Sequence, residues 1–189
     1  MIAIDPVEAA PRRPTLSIGA QAPAFEGLLG TDGLRYGFAG FADREALVLI
    51  FSSNRCPTAK AYAERMNALQ DEYGDRGVQV VALNSNDPRL YPDEAYARMV
   101  ERAADDRYAF PYLVDDGQRV AKAYGASCTF HVFLLDRARH LRYEGRFDDS
   151  RLPSRVTSHD LQDAIDDVLA RREVRVSRTR PFGCSLDLT

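Results

Sequence analysis

ALVLIFSSNRCPTAKAYAERM, residues 46–66, joins two patterns of different period at a single cysteine. Residues 46–51 are consecutive apolar side chains between polar neighbours, which suits a strand buried on both faces at the centre of an α/β sheet. A helix is expected from Pro57, because proline's fixed φ and missing N–H fit the first helical position. Tyr62, Met66, Leu69 and Tyr73 then recur at helical spacing, an apolar stripe that should face the sheet. Cys56 is the joint between strand and helix.

On the C-terminal side, residues 78–83 form a second apolar, β-branched run that ends in Asn84, Ser85, Asn86 and Asp87. A second helix is expected near Pro92, with Asp93 and Glu94 in its first turn offsetting the helix dipole. Its stripe is Tyr96, Met99, Val100 and Ala103. Residues 112–114 are strand-like, and 119–124 form a brief helix stopped by Gly125. Residues 132–135 and 141–143 are two antiparallel strands joined around 136–140. The last helix opens near Thr157 and Ser158 and carries Leu161, Ala164, Ile165, Val168 and Leu169 on one face. On the N-terminal side, 25–29 and 34–36 flank Thr31, Asp32 and Gly33 as a hairpin.

The order β-α-β-α followed by β-β-α calls for a parallel sheet with a crossover helix, extended by a hairpin and a covering helix. That is the thioredoxin arrangement, a mixed sheet flanked by helices, with an N-terminal β-hairpin extension and an inserted helix. We expect a flexible arm over residues 1–16, a thioredoxin-like domain over 17–171, and a tail over 172–189 packing on or near the domain.

The chain has 189 residues, 45% of them apolar and 28% charged, with a formal net charge of −3. That balance gives no electrostatic reason to expect nucleic acid or an anionic membrane as partner. The basic run Arg171, Arg172, Arg175, Arg178 and Arg180 reads as a solvated tail. The first residues lack a basic region followed by a long apolar one, and no stretch approaches a membrane span, so a cytoplasmic protein is expected. Three cysteines, Cys56, Cys128 and Cys184, are too few and too far apart for a structural disulfide framework.

A cysteine just before Pro57 places its sulfur at a helix N-terminus, where unpaired N–H groups and the dipole favour the thiolate. Arg55 adds positive potential beside it. Thiols in such settings have pKa values of about 3.5–7.5, against roughly 8.5 for a free cysteine. Read without a function, Cys56 is a small apolar core residue.

The segment FSSNRCPTAKAY (51–62) resembles the active-site segment of the thioredoxin-like redoxin family, related to alkyl hydroperoxide reductase and thiol-specific antioxidant proteins. LNSNDPRLYPDE (83–94), FPYLVDD (110–116), VAKAYGASCTFHVFLLD (120–136), YEGRFDDSR (143–151), SHDLQDAID (158–166) and PFGCS (181–185) resemble a subgroup of small bacterial thioredoxin-family proteins. The resemblance implies thiol–disulfide or peroxide chemistry centred on Cys56, with no organic cofactor. The implied partners are an oxidised protein, a small disulfide or a peroxide as substrate, and a dithiol protein or small thiol as reductant.

Several positions depart from the family's pattern. A CxxC partner would stand at Ser53 or at Ala59, so Cys56 has no second thiol within its own turn. Against the peroxiredoxin pattern PxxxTxxC, Ser53 retains a hydroxyl but Leu49 replaces the proline. The activating arginine would fall at about Phe130, leaving Arg55 or Arg146 as substitutes. Phe130 also stands where the fold carries a cis-proline, and because a non-proline cis bond costs about 2.5–4 kcal/mol the Thr129–Phe130 peptide is expected to be trans. An altered groove follows, with Pro57, Asn84, Thr129 and Phe130 as its walls. Asn84, Asn86 and Asp87 line that pocket or simply form a turn and helix cap. Cys128 or Cys184 is the candidate resolving thiol. Two other readings remain: a redox-inactive module binding a partner through the groove at Phe130, and a metal site of Cys56, Cys128 and His131. Arg146, Asp148 and Asp149 suggest an ion-pair cluster.

Overall fold

A computed structural model describes residues 16–186 and residue 188. The arm expected over 1–16 therefore lies outside the described residues except for Leu16. Strands β1 (Leu28–Leu29) and β2 (Arg35–Tyr36) form the short antiparallel hairpin. Then follow β3 (Ala46–Ser52), α1 (Pro57–Tyr73), β4 (Val78–Asn84), α2 (Tyr96–Asp105), β5 (Tyr112–Val114), α3 (Arg119–Tyr124), β6 (Val132–Asp136), β7 (Leu141–Gly145) and α4 (Asp160–Leu169). The main sheet has the order β5-β4-β3-β6-β7. β3 runs parallel to β4 and antiparallel to β6, so the sheet is mixed and the architecture is the thioredoxin fold.

β3 lies at the centre of this sheet, and every one of its residues is buried. Its side chains alternate between two cores, as a pleated strand requires. Ala46, Val48 and Ile50 pack with the α1 stripe Tyr62, Met66, Leu69 and Tyr73 and with Leu161, Ala164 and Ile165 of α4. Leu47, Leu49 and Phe51 face the opposite layer, with Val120, Ala121 and Tyr124 of α3 and Phe25 and Leu28 from the N-terminal segment. The continuous apolar run is the consequence of having no solvent face. Among the described residues, no helix is long and apolar enough to cross a membrane.

Two expectations need correction. The helix expected from Pro92 begins instead as a 3-10 turn, Pro92–Glu94, and α2 starts at Tyr96. Of its expected stripe only Met99 is fully buried, while Tyr96 is exposed at the ring and bonds through its hydroxyl to the Gly30 carbonyl. The C-terminal arginines are exposed, as a solvated run should be, but three of them are also anchored to the domain. Arg172 and Arg175 both grip Asp167 on α4, and Arg178 bonds to the Leu16 carbonyl and pairs with Glu144. Asp167 is buried, and its carboxyl is held down to about 2 by hydrogen bonds from Arg175 and Arg172. Residues 172–179 are thereby drawn along the outer side of β7, with Glu144 N–H donating to the Ser177 carbonyl and Thr179 N–H to the Glu144 carbonyl.

Candidate active site around Cys56

Cys56 is the N-cap of α1, in extended backbone, with Pro57 at the first helical position. The residues before it would leave several N–H groups unpaired, and a buried carboxylate gathers them. Glu94, only 4% exposed, accepts from the N–H of Asn54, from the Asn84 side-chain amide and from the Ser53 hydroxyl. The Ser53 oxygen in turn accepts from the N–H groups of Arg55 and Cys56 at 3.1 Å. Glu94 thus holds the turn that aims the cysteine, and it does not serve the α2 dipole. The sequence signal for it was ambiguous, because a carboxylate after Pro92 suits an ordinary helix start equally well.

The sulfur points at the first turn. It receives a hydrogen bond from the Thr129 hydroxyl at 3.0 Å, and the Ala59 N–H and the thiol and N–H of Cys184 lie close enough to favour its thiolate. Burial alone pushes this thiol up, but the bonds from Thr129, Cys184 and Ala59 outweigh it and lower the pKa from 9.0 to about 7. Thr129 has one hydroxyl proton and two acceptors in reach, the Cys56 sulfur and the Cys184 carbonyl at 3.1 Å. A charged acceptor binds the proton more strongly than a carbonyl, so ionisation of Cys56 recruits it. Cys56 is only 1% exposed. The cover is the C-terminal segment, folded back so that Cys184 lies against it.

Cys184 is the exposed thiol of the pair, and burial together with its contact to Cys56 raises its pKa. Cys128 is half-buried, 3.9 Å from the Ser127 hydroxyl, and burial raises its pKa too. Of the two candidate resolving thiols, Cys184 is the one that bonds to Cys56.

Other expected participants lie elsewhere. Arg55 is exposed and its guanidinium stacks on Tyr91, 4.3 Å from the ring centroid, so hydroxyl, thiol and amide groups do the work expected of it. Ser53 orients backbone and leaves the sulfur alone. Asn84 is buried, donates to Glu94 through its side-chain amide and accepts from the Asn86 N–H. Arg146 pairs with Asp160 at the start of α4, Asp148 with Arg65 and Tyr62, and Asp149 with Thr157, so no shared cluster forms. His131 turns away from the thiols: Nδ1 accepts from Ser127 N–H, and Nε2 faces Glu144 at 3.4 Å. Among the described residues, no three His, Cys, Asp or Glu side chains are gathered so as to hold a metal ion.

The Thr129–Phe130 peptide is trans, and no cis peptide occurs among the described residues. Phe130 has φ +66° and donates its N–H to the Phe51 carbonyl at 2.5 Å, joining this loop to the end of β3. Its ring turns inward, 4.2 Å from the Tyr62 ring centroid, and does not line a groove. A bulky residue at positive φ costs about 1–3 kcal/mol, which the buried ring offsets. Phe130→Pro should therefore be strongly destabilising: proline is confined to φ near −65° and has no N–H for Phe51. We expect a loss of about 3 kcal/mol or more, read as a drop in calorimetric midpoint; an unchanged midpoint would contradict this account of the loop.

Known proteins share both the fold and its outline. The chain is 39% identical to a hypothetical protein from Sinorhizobium meliloti 1021, with TM-score 0.86 and coverage of 93% of this chain and 97% of that one. It is 35% identical to an uncharacterized conserved protein from Geobacillus kaustophilus, also with TM-score 0.86, covering 93% and 94%. A curated relative, the thiol-disulfide oxidoreductase ResA of Halalkalibacterium halodurans, is 34% identical over 83 residues, which is 43% of this chain and 42% of that protein. The family model described as Redoxin matches residues 17–164, from the N-terminal segment into the first half of α4, and on that match the chain belongs to the Redoxin family.

Proposed function

We propose that the protein is a thiol-dependent oxidoreductase in which Cys56 is the nucleophile and Cys184 the resolving thiol. The observation that carries this reading is the set of donors on one sulfur: Thr129, Ala59 and Cys184 stabilise a thiolate at a helix N-terminus, near neutral pH. Membership of the Redoxin family and likeness to a thiol-disulfide oxidoreductase support it.

With a hydroperoxide, the Cys56 thiolate forms an S–O bond as the O–O bond breaks. The alcohol or water leaves with a proton, and Cys56 becomes a sulfenic acid. Cys184 then attacks that sulfur, and the Cys56–Cys184 disulfide forms with loss of water. With a disulfide substrate, Cys56 forms a mixed disulfide and Cys184 displaces the second thiol. A dithiol protein or small thiol returns both cysteines to the reduced state. The separation in pKa gives the last step a direction. A reductant meets the exposed Cys184 sulfur first, and the lower-pKa Cys56 is the better leaving group. A redox-inactive binding module has less support, because the ring of Phe130 is buried.

Cys184→Ser tests the assignment. The variant should still be oxidised at Cys56 but stop at the sulfenic acid, trapped by a 1,3-dione probe, or at the mixed disulfide, seen directly by its mass, each located by mass spectrometry. If Cys128→Ser stops there instead and Cys184→Ser turns over normally, Cys128 is the resolving thiol.

A further inference from the structure

The segment that covers Cys56 occupies a specific place. Cys128 and Ser185 form an antiparallel bridge, the Thr129 N–H donates to the Cys184 carbonyl at 2.7 Å, and the Cys184 N–H donates to the Thr129 hydroxyl at 2.9 Å. The backbone edge beside the nucleophile is thus already paired, by the chain's own C-terminal residues. The approach is close enough to require glycine: a Cβ at Gly183 would sit 1.8 Å from the Thr129 carbonyl oxygen. Such an overlap with main chain cannot be relieved by turning a side chain. The segment is pinned on both sides of this crossing. Phe182 packs near Tyr62, at 6.4 Å between centroids, and Leu186 is buried in the core beneath β3. Upstream, Arg178 ties its root to Leu16 and Glu144.

We propose that residues 181–186 are a strap that restricts the Cys56 site to small oxidants of the hydroperoxide class, with Gly183 as the residue that sets the restriction. This rests on Cys56 being the nucleophile. An extended polypeptide disulfide would need the Thr129 N–H and the space above the sulfur, and both are taken by Cys184. A hydroperoxide needs only the space of the Cys184 side chain, which can rotate while the main-chain bonds of the strap stay in place. The redox step is the one written above: the O–O bond breaks, Cys56 is oxidised, and Cys184 closes the disulfide with loss of water without the strap leaving.

The test compares the full-length reduced protein with Gly183→Ala. Oxidation of Cys56 by hydrogen peroxide and by insulin, as a polypeptide disulfide, is followed on the Cys56 peptide by mass spectrometry. Gly183→Ala should raise the insulin rate relative to the peroxide rate about tenfold or more, since the bonds from Thr129 N–H to the Cys184 carbonyl and from Cys184 N–H to the Thr129 hydroxyl no longer hold the strap. Amide exchange at Thr129 should accelerate in the same variant. Arg178→Ala, an exposed change at the strap's root, should move the ratio the same way by about two- to threefold. A wild-type protein that reacts with insulin as fast as with peroxide overturns the proposal. So does a Gly183→Ala protein with unchanged ratio, or with unchanged exchange at Thr129. Inertness of Cys56 to both oxidants in every protein would have a different meaning: the nucleophile assignment itself would fail, and the strap's role with it.

Discussion

Alkylation of Cys56 by iodoacetamide is expected to reach half its limiting rate at about pH 7. Below that pH the thiolate fraction, and with it the rate, falls tenfold per unit; above about pH 8 the rate is flat. The donors on the sulfur are the cause, so removing one should move the profile. Thr129→Val deletes the hydroxyl at 3.0 Å while keeping the branched shape. A hydrogen bond to a charged group is worth about 1.5–3 kcal/mol, so the midpoint should rise by about one to two units. At pH 7 the rate then drops roughly five- to fifty-fold. Because nucleophilicity increases with pKa, the limiting rate at alkaline pH should be higher than in the parent protein. Loss of structure would also uncover the buried Cys56 and raise the alkaline rate, so the thermal midpoint of the variant is measured beside the profile and should stay near that of the parent. The linkage to stability has a matching sign: a depressed thiol pKa contributes stability that is present above the unfolded value and lost as pH falls through about 7. A midpoint near 8.5–9 in the parent protein would remove the basis for calling Cys56 a nucleophile at neutral pH.

Glu94→Ala should be among the most damaging single changes in this chain. It leaves the Asn54 N–H, the Asn84 amide and the Ser53 hydroxyl without their acceptor inside the protein. Each buried donor left without an acceptor costs about 1–3 kcal/mol, so three of them together should cost several kcal/mol. For a chain of this size that lowers the midpoint of thermal unfolding by about 10 °C. Glu94→Gln keeps the volume and one acceptor oxygen, and Ser53 can reverse its hydroxyl to meet the new amide, so its loss should be smaller. The same variants report on the site. With the turn at 53–56 released, the Cys56 alkylation midpoint should move upward in Glu94→Ala and less in Glu94→Gln. A Glu94→Ala protein within about 1 kcal/mol of the parent would show that water replaces the carboxylate and that the turn is held by other means.

Much of the framework was readable because it depends on local periodicity. The apolar run at 46–51 and the stripe Tyr62, Met66, Leu69 and Tyr73 specify a two-faced strand and a one-faced helix, whatever the rest of the chain does. The break between the two periods, marked by Pro57, placed Cys56 at a helix N-terminus, and Gly125 ended α3 where expected. Phe130 shows the limit of such reading. Its identity indicated a trans peptide, but whether the ring filled a groove or turned inward depended on Tyr62, far away in sequence.

By itself the sequence determined the order of strands and helices, the central place of β3 and the position of Cys56 at the mouth of α1. All of these follow from side-chain pattern and backbone preference over a few neighbouring residues. Only the tertiary structure decided what surrounds the sulfur: Glu94 reaching back 40 residues to Asn54, and Cys184 returning 55 residues to pair with Thr129. Hydrogen bonds of that reach leave no periodic trace in a chain, because their partners are selected by where the completed sheet and its covering helices bring the segments together.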